Sequence, residues 1–271
     1  MKIKTLFVHC LLILGGGFII FPFVWMMTTS VRAPSEIFEA NIFPWPHTFY
    51  GFDHYVKAIS SVPLLRFMLN GICICSGILV VQLIIAIPAA YALAKLNFWS
   101  NKALFITVIA ALSIPIQVTA LPIYIGLAFL GLLNTYFSIM FPFFISVFAI
   151  FLFRQAFKSF PTEIIEAARL DGMSEMEIVW SIVLPNNRPT LVAFSIFSIV
   201  AHWNDLYWPM IAVTETKMAP PPLGMMFFAT AESGSDYGAL MAGAAILTLP
   251  LILIFLLARR HFIQGLTISA H

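Results

Sequence analysis

The segment EAARLDGMSEMEIVWSIVLP, residues 166–185, forms most of a polar island, residues 159–189, between long apolar stretches of the chain. Just ahead of it, Pro161 suits the first turn of a helix, because the N–H that proline lacks would have no partner there. The apolar residues Ile164, Ile165 and Ala168 then recur at the spacing of one helical face. This part of the chain is therefore predicted to form a short amphipathic helix.

A glycine turn is predicted to follow that helix. Gly172, preceded by Asp171, is the natural residue for the left-handed position that closes a helix. Ser174, with Glu177 three residues later, has the pattern of a capping box that opens a second helix. Pro185 is predicted to end that second helix. Local physics thus predicts a helix–turn–helix inside the polar island.

The composition of the whole chain indicates a membrane protein. Its 271 residues are 61% hydrophobic and 10% charged, with a mean hydropathy of +0.97, whereas soluble domains are about a quarter charged. The formal net charge of +2 comes from scattered basic residues, so a nucleic-acid partner is not expected. The fold class predicted is all-α, a polytopic membrane protein forming one transmembrane domain over residues 1–271.

Six segments are apolar over the roughly 20 residues that a membrane helix needs. Each contains or ends at a proline, and kinks are common at such positions because a backbone carbonyl loses its partner. The predicted spans are about 9–28, 71–94, 103–121, 135–154, 191–212 and 238–258. No convincing cleavage site follows the first of them, so it is kept as a span rather than a signal peptide.

The basic residues predict the orientation of these spans. An even number of spans places both termini on one side, and cytoplasmic loops are rich in Lys and Arg. One side would hold Lys2, Lys4, Lys95, Lys102, Arg154, Lys158, Arg169, Arg188, Arg259 and Arg260. We therefore expect cytoplasmic termini, a cytoplasmic loop at 155–190 and a cytoplasmic tail at 259–271, with external loops at 29–69 and 213–237.

The polar island also carries a family signature. Glu166-Ala167-Ala168, three residues, Gly172, nine residues, Ile182, one residue and Leu184-Pro185 resembles the EAA loop of permease subunits in binding-protein-dependent ABC importers. The resemblance implies that this loop docks in a cleft of an ATPase subunit. The glutamate would anchor the contact, the two alanines would allow close approach, and the glycine would make the turn. Asp171 would precede that turn, and Ile182, Leu184 and Pro185 would tie the motif to the fifth span.

The C-terminal tail narrows the resemblance to one branch of this family. The tail Phe262–Thr267 resembles the carbohydrate-uptake, maltose-type branch, although the ending 268–271 departs from it and leaves open whether the tail contacts the ATPases. The branch implies a second permease subunit, an ATPase dimer that binds ATP and Mg, and an extracytoplasmic solute-binding protein, assembled in the inner membrane of a bacterium. The solute would be a sugar, oligosaccharide, polyol or glycerol phosphate.

The chain is not expected to be an enzyme or to bind a cofactor. It contains no GxxxxGK[ST] phosphate loop, no HExxH and no CxxC, and its six histidines are too dispersed to indicate a metal site. ATP and Mg would therefore be bound by the partner subunits.

The fifth span contains HWNDLYWP, residues 202–209, the most polar passage within an apolar segment. An acid near the centre of a membrane helix costs about 2.5 to 3.5 kcal/mol on insertion scales, so it usually faces protein or water and often marks a pathway. The alternative is that Asp205 lies far enough outward to reach water, with aromatic neighbours in the outer belt. Candidate residues for a substrate path are Gln82, Tyr91, Trp203, Asn204, Asp205 and Tyr207.

A second function class is an ion-coupled secondary carrier. In that hypothesis Asp205 and His202 form a proton relay. It predicts transport that survives without an ATPase and collapses with the proton gradient.

Overall fold

The computed structural model describes residues 2–38, 45–231 and 236–268, and over these ranges the chain is helical without any strand. The predicted all-α fold is confirmed. Parts of the predicted external loops, residues 39–44 and 232–235, and the end of the predicted tail, residues 269–271, lie outside the described residues.

The helices within the described ranges are numbered in chain order. They are α1 (Lys2–Thr29), α2 (Asp53–Ser61), α3 (Leu64–Lys95), α4 (Asn101–Ala111), α5 (Ile116–Phe129), α6 (Tyr136–Met140), α7 (Val147–Lys158), α8 (Thr162–Leu170), α9 (Glu175–Ile178), α10 (Leu184–Asn186), α11 (Arg188–Trp203), α12 (Tyr207–Ala212), α13 (Pro221–Ala231) and α14 (Tyr237–Ile268). A π-helical segment, Val179–Val183, joins α9 to α10.

Three helical stretches are long and apolar enough to cross a membrane: Thr5–Thr29, Leu64–Lys95 and Tyr237–Leu256. Two bent pairs, α4 with α5 and the α6 region with α7, raise this to as many as five across the described residues. The predicted span 191–212 is divided between α11 and α12, which have 16 and 6 residues. The count of six spans therefore stays a prediction.

Proline acts differently in different spans. The predicted span 103–121 is not one continuous helix, because α4 and α5 meet at 96° and Pro115 is the residue that precedes α5. The predicted span 135–154 bends by 46° close to Pro142. In contrast, α3 continues through Pro88. A missing N–H ends a helix only where its neighbours do not satisfy the freed carbonyl.

The chain divides into two compact units, Met1–Met68 with Leu223–Pro250, and Leu69–Pro222 with Leu251–His271. In the first unit, Asp236 caps the start of α14 by accepting the backbone N–H of Ala239 at 2.8 Å. Its other oxygen accepts from Nζ of Lys57 on α2 at 2.7 Å. A Cβ at Gly238 would collide with the ring of His54, so a glycine is needed where these two helices approach each other.

The core of the second unit brings the polar island against two membrane helices. Its α3 face is made of small and branched residues, including Ala86, Ile87 and Ala90, all fully buried. Small side chains let membrane helices approach closely. Phe153 and Phe157 of α7 pack in the same cluster, as do apolar residues of α8, α9 and α11. Apolar residues of the polar island are therefore part of the packed core of this unit.

Candidate functional site

The first helix of the polar island ends in the way its sequence predicts. The backbone N–H of Gly172 donates to the carbonyl of Arg169 at 3.0 Å, and that of Met173 donates to the carbonyl of Ala168 at 3.1 Å. This is the bonding pattern of a Schellman motif, and Gly172 has the positive φ of 84° that the motif requires. The predicted role of Gly172 in the turn is confirmed. Pro161 lies at the N-cap position, one residue before α8 begins, and not in its first turn.

The second helix starts with the predicted capping box. The N–H of Glu177 donates to Oγ of Ser174 at 3.3 Å, and the N–H of Ser174 donates back to Oε2 of Glu177 at 2.7 Å. Ser174 donates to this carboxylate through its backbone N–H and, at 2.8 Å, through Oγ, and both hydrogen bonds lower the pKa of Glu177 below its ordinary value because they favour the ionised form. The turn and the second helix are thus held by local interactions that need no partner protein.

The second helix ends at Asn186, one residue beyond the predicted Pro185. It reaches that end through a π-helical segment that the sequence does not predict. Side-chain amides support this stretch, since Asn186 donates to the carbonyl of Ile182 at 2.7 Å and Asn187 to that of Val183 at 2.8 Å. Single π-turns within helices are often found at functional sites. This segment leads directly from the polar island into α11.

The polar island has one buried face and one exposed face. Ile165, Ala168 and Ile178 lie in the core, with at most 5% of each residue exposed. Glu166 and Ala167 are exposed, and Leu170 is 90% exposed. The two alanines of the signature therefore have different surroundings. Ala168 packs against the chain's own core, so the docking role expected for it does not fit its position, whereas Ala167 is available to a partner.

A polar cluster lies where α3 and α11 meet. The amide nitrogen of Gln82 donates to the carbonyl of Phe143 at 2.8 Å and lies 3.3 Å from Nε2 of His202. Its amide oxygen accepts from Oγ of Ser198 at 2.7 Å. Gln82 is only 3% exposed, so these contacts satisfy an amide that would otherwise be costly to bury.

This cluster borders a cavity. Gln82, Ser198 and His202 line it together with the aromatic side chains of Phe143, Phe148 and Phe197. Amide, imidazole and hydroxyl groups can exchange hydrogen bonds with a solute, and the rings offer flat apolar surface. Sequence reasoning singled out Gln82 for a path but missed Ser198, because a serine in an apolar span gives no signal without its partner.

The other predicted path residues do not join this cluster. Asp205 lies in the break between α11 and α12, where Oδ1 accepts the backbone N–H of Tyr207 at 3.1 Å and that of Trp208 at 3.5 Å. Asn204 is exposed, and its amide donates to the carbonyl of Val200 at 2.8 Å. Trp203 is buried, with 4% exposed. Asp205 thus acts as a helix cap in this structure.

Tyr91 lies at the end of α3 nearest the polar island. Its hydroxyl donates to Oε2 of Glu175 at 2.6 Å. Tyr91 is nine residues after Gln82 on the same helix, a distance of roughly 14 Å along the axis. The structure therefore places Tyr91 beside the helix–turn–helix and not beside the cavity.

The helices and the packed helix–turn–helix define a class: multi-pass α-helical membrane proteins with a structured loop between spans. The comparisons identify the family. Residues 82–268 match the model of the binding-protein-dependent transport system inner membrane component, and the chain belongs to that family.

Relatives match over nearly the whole chain. This chain is 29% identical over 270 residues to an sn-glycerol-3-phosphate transport system permease protein, UgpE, of Yersinia pestis. The match covers 97% of this chain and 96% of that protein. It is 30% identical over 260 residues to a lactose transport system permease protein, LacG, of Rhizobium radiobacter, covering 95% and 93%. An arabinooligosaccharides transport system permease protein, AraQ, of Halalkalibacterium halodurans is 30% identical over 265 residues, covering 96% and 95%.

A solved structure shares the fold. A chain in the crystal structure of a bacterial ABC transporter involved in the import of the acidic polysaccharide alginate superposes with a TM-score of 0.81. The match covers 96% of this chain and 97% of that one at 21% identity. The likeness concerns the fold.

Proposed function

We propose that this chain is one of two permease subunits of an ATP-driven importer, and that the polar island, residues 159–189, is its coupling loop. The observation that carries the proposal is the loop geometry in a chain of this family. A Schellman turn and a capping box fix two short helices, one face of which packs in the core while Glu166 and Ala167 stay exposed. A helix–turn–helix that is fixed in the core on one face and exposed on the other suits docking to another subunit.

The partner that this loop requires is an ATPase. The sequence has no phosphate-binding loop of its own, so the energy for transport comes from separate subunits that bind ATP and Mg. Glu166 would supply a charged hydrogen-bonding anchor, and Ala167 would let the partner surface approach closely. A second permease subunit completes the pathway, and an extracytoplasmic binding protein delivers the solute. The termini and the coupling loop would face the cytoplasm, as the basic residues indicate.

The mechanism follows from two states of the ATPase dimer. Closure around ATP would draw the coupling loops together and turn the permease pair outward, where solute enters from its binding protein. Hydrolysis would reverse the movement. Coupling requires only that the loop bind the two ATPase states with different geometry.

The solute we propose is a carbohydrate or a related polyhydroxylated compound. The relatives are named for transport of sn-glycerol 3-phosphate, lactose or arabino-oligosaccharides, and all three solutes carry at least two hydroxyl groups. The cavity beside Gln82 and His202 is lined by their polar side chains together with aromatic surface, the combination by which a site binds and orients a small solute. We assign the solute path to this cavity, with Asn204 and Tyr207 further along the same chain segment.

The role of Asp205 separates an importer from an ion-coupled carrier. We expect Asp205→Asn to retain uptake, because an asparagine oxygen can accept the same backbone N–H groups of α12 and the two residues are about equal as caps. Asp205→Ala should lower the stability of the protein by about 1 kcal/mol through loss of the cap. Uptake by membrane vesicles and thermal unfolding of the purified chain measure the two effects.

The carrier hypothesis gives the opposite result for the same pair. A proton relay needs an ionisable group at residue 205, so Asp205→Asn would abolish uptake as completely as Asp205→Ala. That outcome would favour a proton-driven mechanism.

The test of the proposed assembly is affinity purification of the chain from native membranes in mild detergent. A second permease subunit, an ATPase and a binding protein should copurify, and ligand screening of the binding protein would then identify the solute. Recovery of the chain alone, still competent for transport in liposomes without ATP, would refute the proposal.

A further inference from the structure

The coupling loop is attached through the chain itself to α7 and α11. We propose that the end of α3 is a further attachment point, and that Tyr91 is the positioning residue through which α9 and α3 move together. The inference rests on the proposed function. It concerns how movement of the loop reaches a span that does not adjoin it in the sequence.

Three side chains connect three helices at this point. The hydroxyl of Tyr91 on α3 donates to Oε2 of Glu175, the first residue of α9, at 2.6 Å. Arg169, in the last turn of α8, donates to the same carboxylate through Nε at 2.6 Å and through Nη2 at 3.1 Å. The forked contact with Arg169 fixes the orientation of Glu175. One carboxylate therefore joins both helices of the coupling loop to α3.

The electrostatics agree with this geometry. The hydrogen bonds from Arg169, with that from Tyr91, hold the pKa of Glu175 below its ordinary value although partial burial acts in the opposite direction. Glu175 is thus ionised at neutral pH, and as a carboxylate it can accept hydrogen bonds from both partners at once.

Neighbouring contacts show that the end of α3 is an anchor for this part of the chain. Nζ of Lys95 donates to the carbonyl of Phe160 at 2.5 Å and to Oγ1 of Thr162 at 3.2 Å, where α8 begins. Nε of Arg154 on α7 donates to the carbonyl of Leu93 at 3.2 Å. Lys95 therefore holds the start of α8, and Tyr91 holds the start of α9.

The contact of Tyr91 differs in kind from the ion pair beside it. The side chains of Arg169 and Glu175 are 37% and 41% exposed, and an exposed pair contributes little to stability by itself. Tyr91 is only 2% exposed, so water cannot readily replace its carboxylate partner. Its hydroxyl therefore supplies a specific link between the exposed loop and the buried end of α3.

The hydrogen bond between Tyr91 and Glu175 is directional, whereas apolar packing is not. The coupling loop continues along the chain into α7 and α11, while Tyr91 and Glu175 are 84 residues apart. Residues of α9 and α3 belong to one apolar cluster, which resists separation of the helices, but the hydrophobic effect is non-directional. A hydrogen bond has a preferred length and angle. Tyr91 therefore keeps α9 in register with α3 when the loop moves.

The experiment uses the assembled transporter in liposomes, with ATP hydrolysis and solute uptake measured in the same preparation. Tyr91→Phe removes one hydroxyl and leaves Arg169 to pair with Glu175. We expect this variant to assemble with the ATPase and to hydrolyse ATP, while solute imported per ATP falls about fivefold or more, the range of a typical coupling free energy. Glu175→Gln, whose amide oxygen still accepts a hydrogen bond, should retain more coupling than Glu175→Ala.

Tyr136→Phe is the matched control. It deletes the same group from a tyrosine whose hydroxyl donates to Asn70 at 2.7 Å, away from the loop, and it should leave uptake per ATP unchanged. Uptake per ATP at the wild-type level in Tyr91→Phe would overturn the inference. So would a loss of thermal stability with a parallel fall in both activities, since that pattern indicates a purely structural role. A wild-type protein that transports without ATP would instead refute the proposed function.

Discussion

Replacing Gly172 with glutamate is expected to reduce uptake to background while the protein still inserts into the membrane. Gly172 has a φ of 84°, a conformation that costs a residue with a side chain roughly 1–2 kcal/mol. That cost corresponds to about a tenfold shift away from the native turn. The side chain itself would meet no atom of this chain, because nothing lies within 4 Å of a Cβ at this position. It would instead place a charge on the exposed surface of the proposed coupling loop.

Gly172→Asn is the matched control, because asparagine tolerates the left-handed conformation and adds no charge. We expect it to retain most of the uptake and to copurify with the ATPase, whereas the glutamate variant should do neither. Membrane insertion, uptake and copurification should be measured for both variants. Wild-type uptake by Gly172→Glu would contradict the assignment of the coupling loop.

The two alanines of the coupling loop should respond in opposite ways to the same substitution. Ala168 is 5% exposed and packs in the core, so Ala168→Leu should overpack that site and lower the stability of the isolated chain by about 1–3 kcal/mol. Ala167 is exposed, so Ala167→Leu should change the stability by less than about 0.5 kcal/mol. Its effect should appear as weaker binding of the ATPase, because a larger side chain holds the partner surface away.

Each alanine variant serves as the control for the other. Denaturation of the isolated chain and titration with the purified ATPase separate the two effects. If Ala167→Leu unfolds the isolated chain while Ala168→Leu does not, the buried and exposed faces of the loop have been assigned the wrong way round.

The parts of the site that follow from sequence are those held by local contacts. The Schellman turn at Gly172 and the capping box of Ser174 and Glu177 use groups within six residues of one another. Residue identity therefore decides the conformation. The exposed Glu166 and Ala167 also belong to a signature whose spacing is visible in the chain.

The parts of the site that cannot be predicted from the sequence depend on contacts between residues far apart in the chain. The sequence predicts Tyr91 as a path residue, but its hydroxyl donates to Glu175. Gln82 accepts from Ser198, which lies 116 residues further along the chain. Nothing in an apolar run specifies which helix will lie beside it. The sequence predicts kinks at prolines in general, but it does not show that a right-angle bend precedes Pro115 while Pro88 lies within a continuous helix, because only the surroundings distinguish the two.

The central claim is that ATP hydrolysis by a partner, acting through the coupling loop, drives transport by this chain. The most direct measurement is uptake of the solute into liposomes that contain the assembled complex and its binding protein, with ATP and with an imposed proton gradient as separate variables. Uptake that requires ATP, persists when a protonophore collapses the gradient and disappears in Gly172→Glu is the predicted result. Uptake that proceeds without ATP and stops with the protonophore would contradict the account.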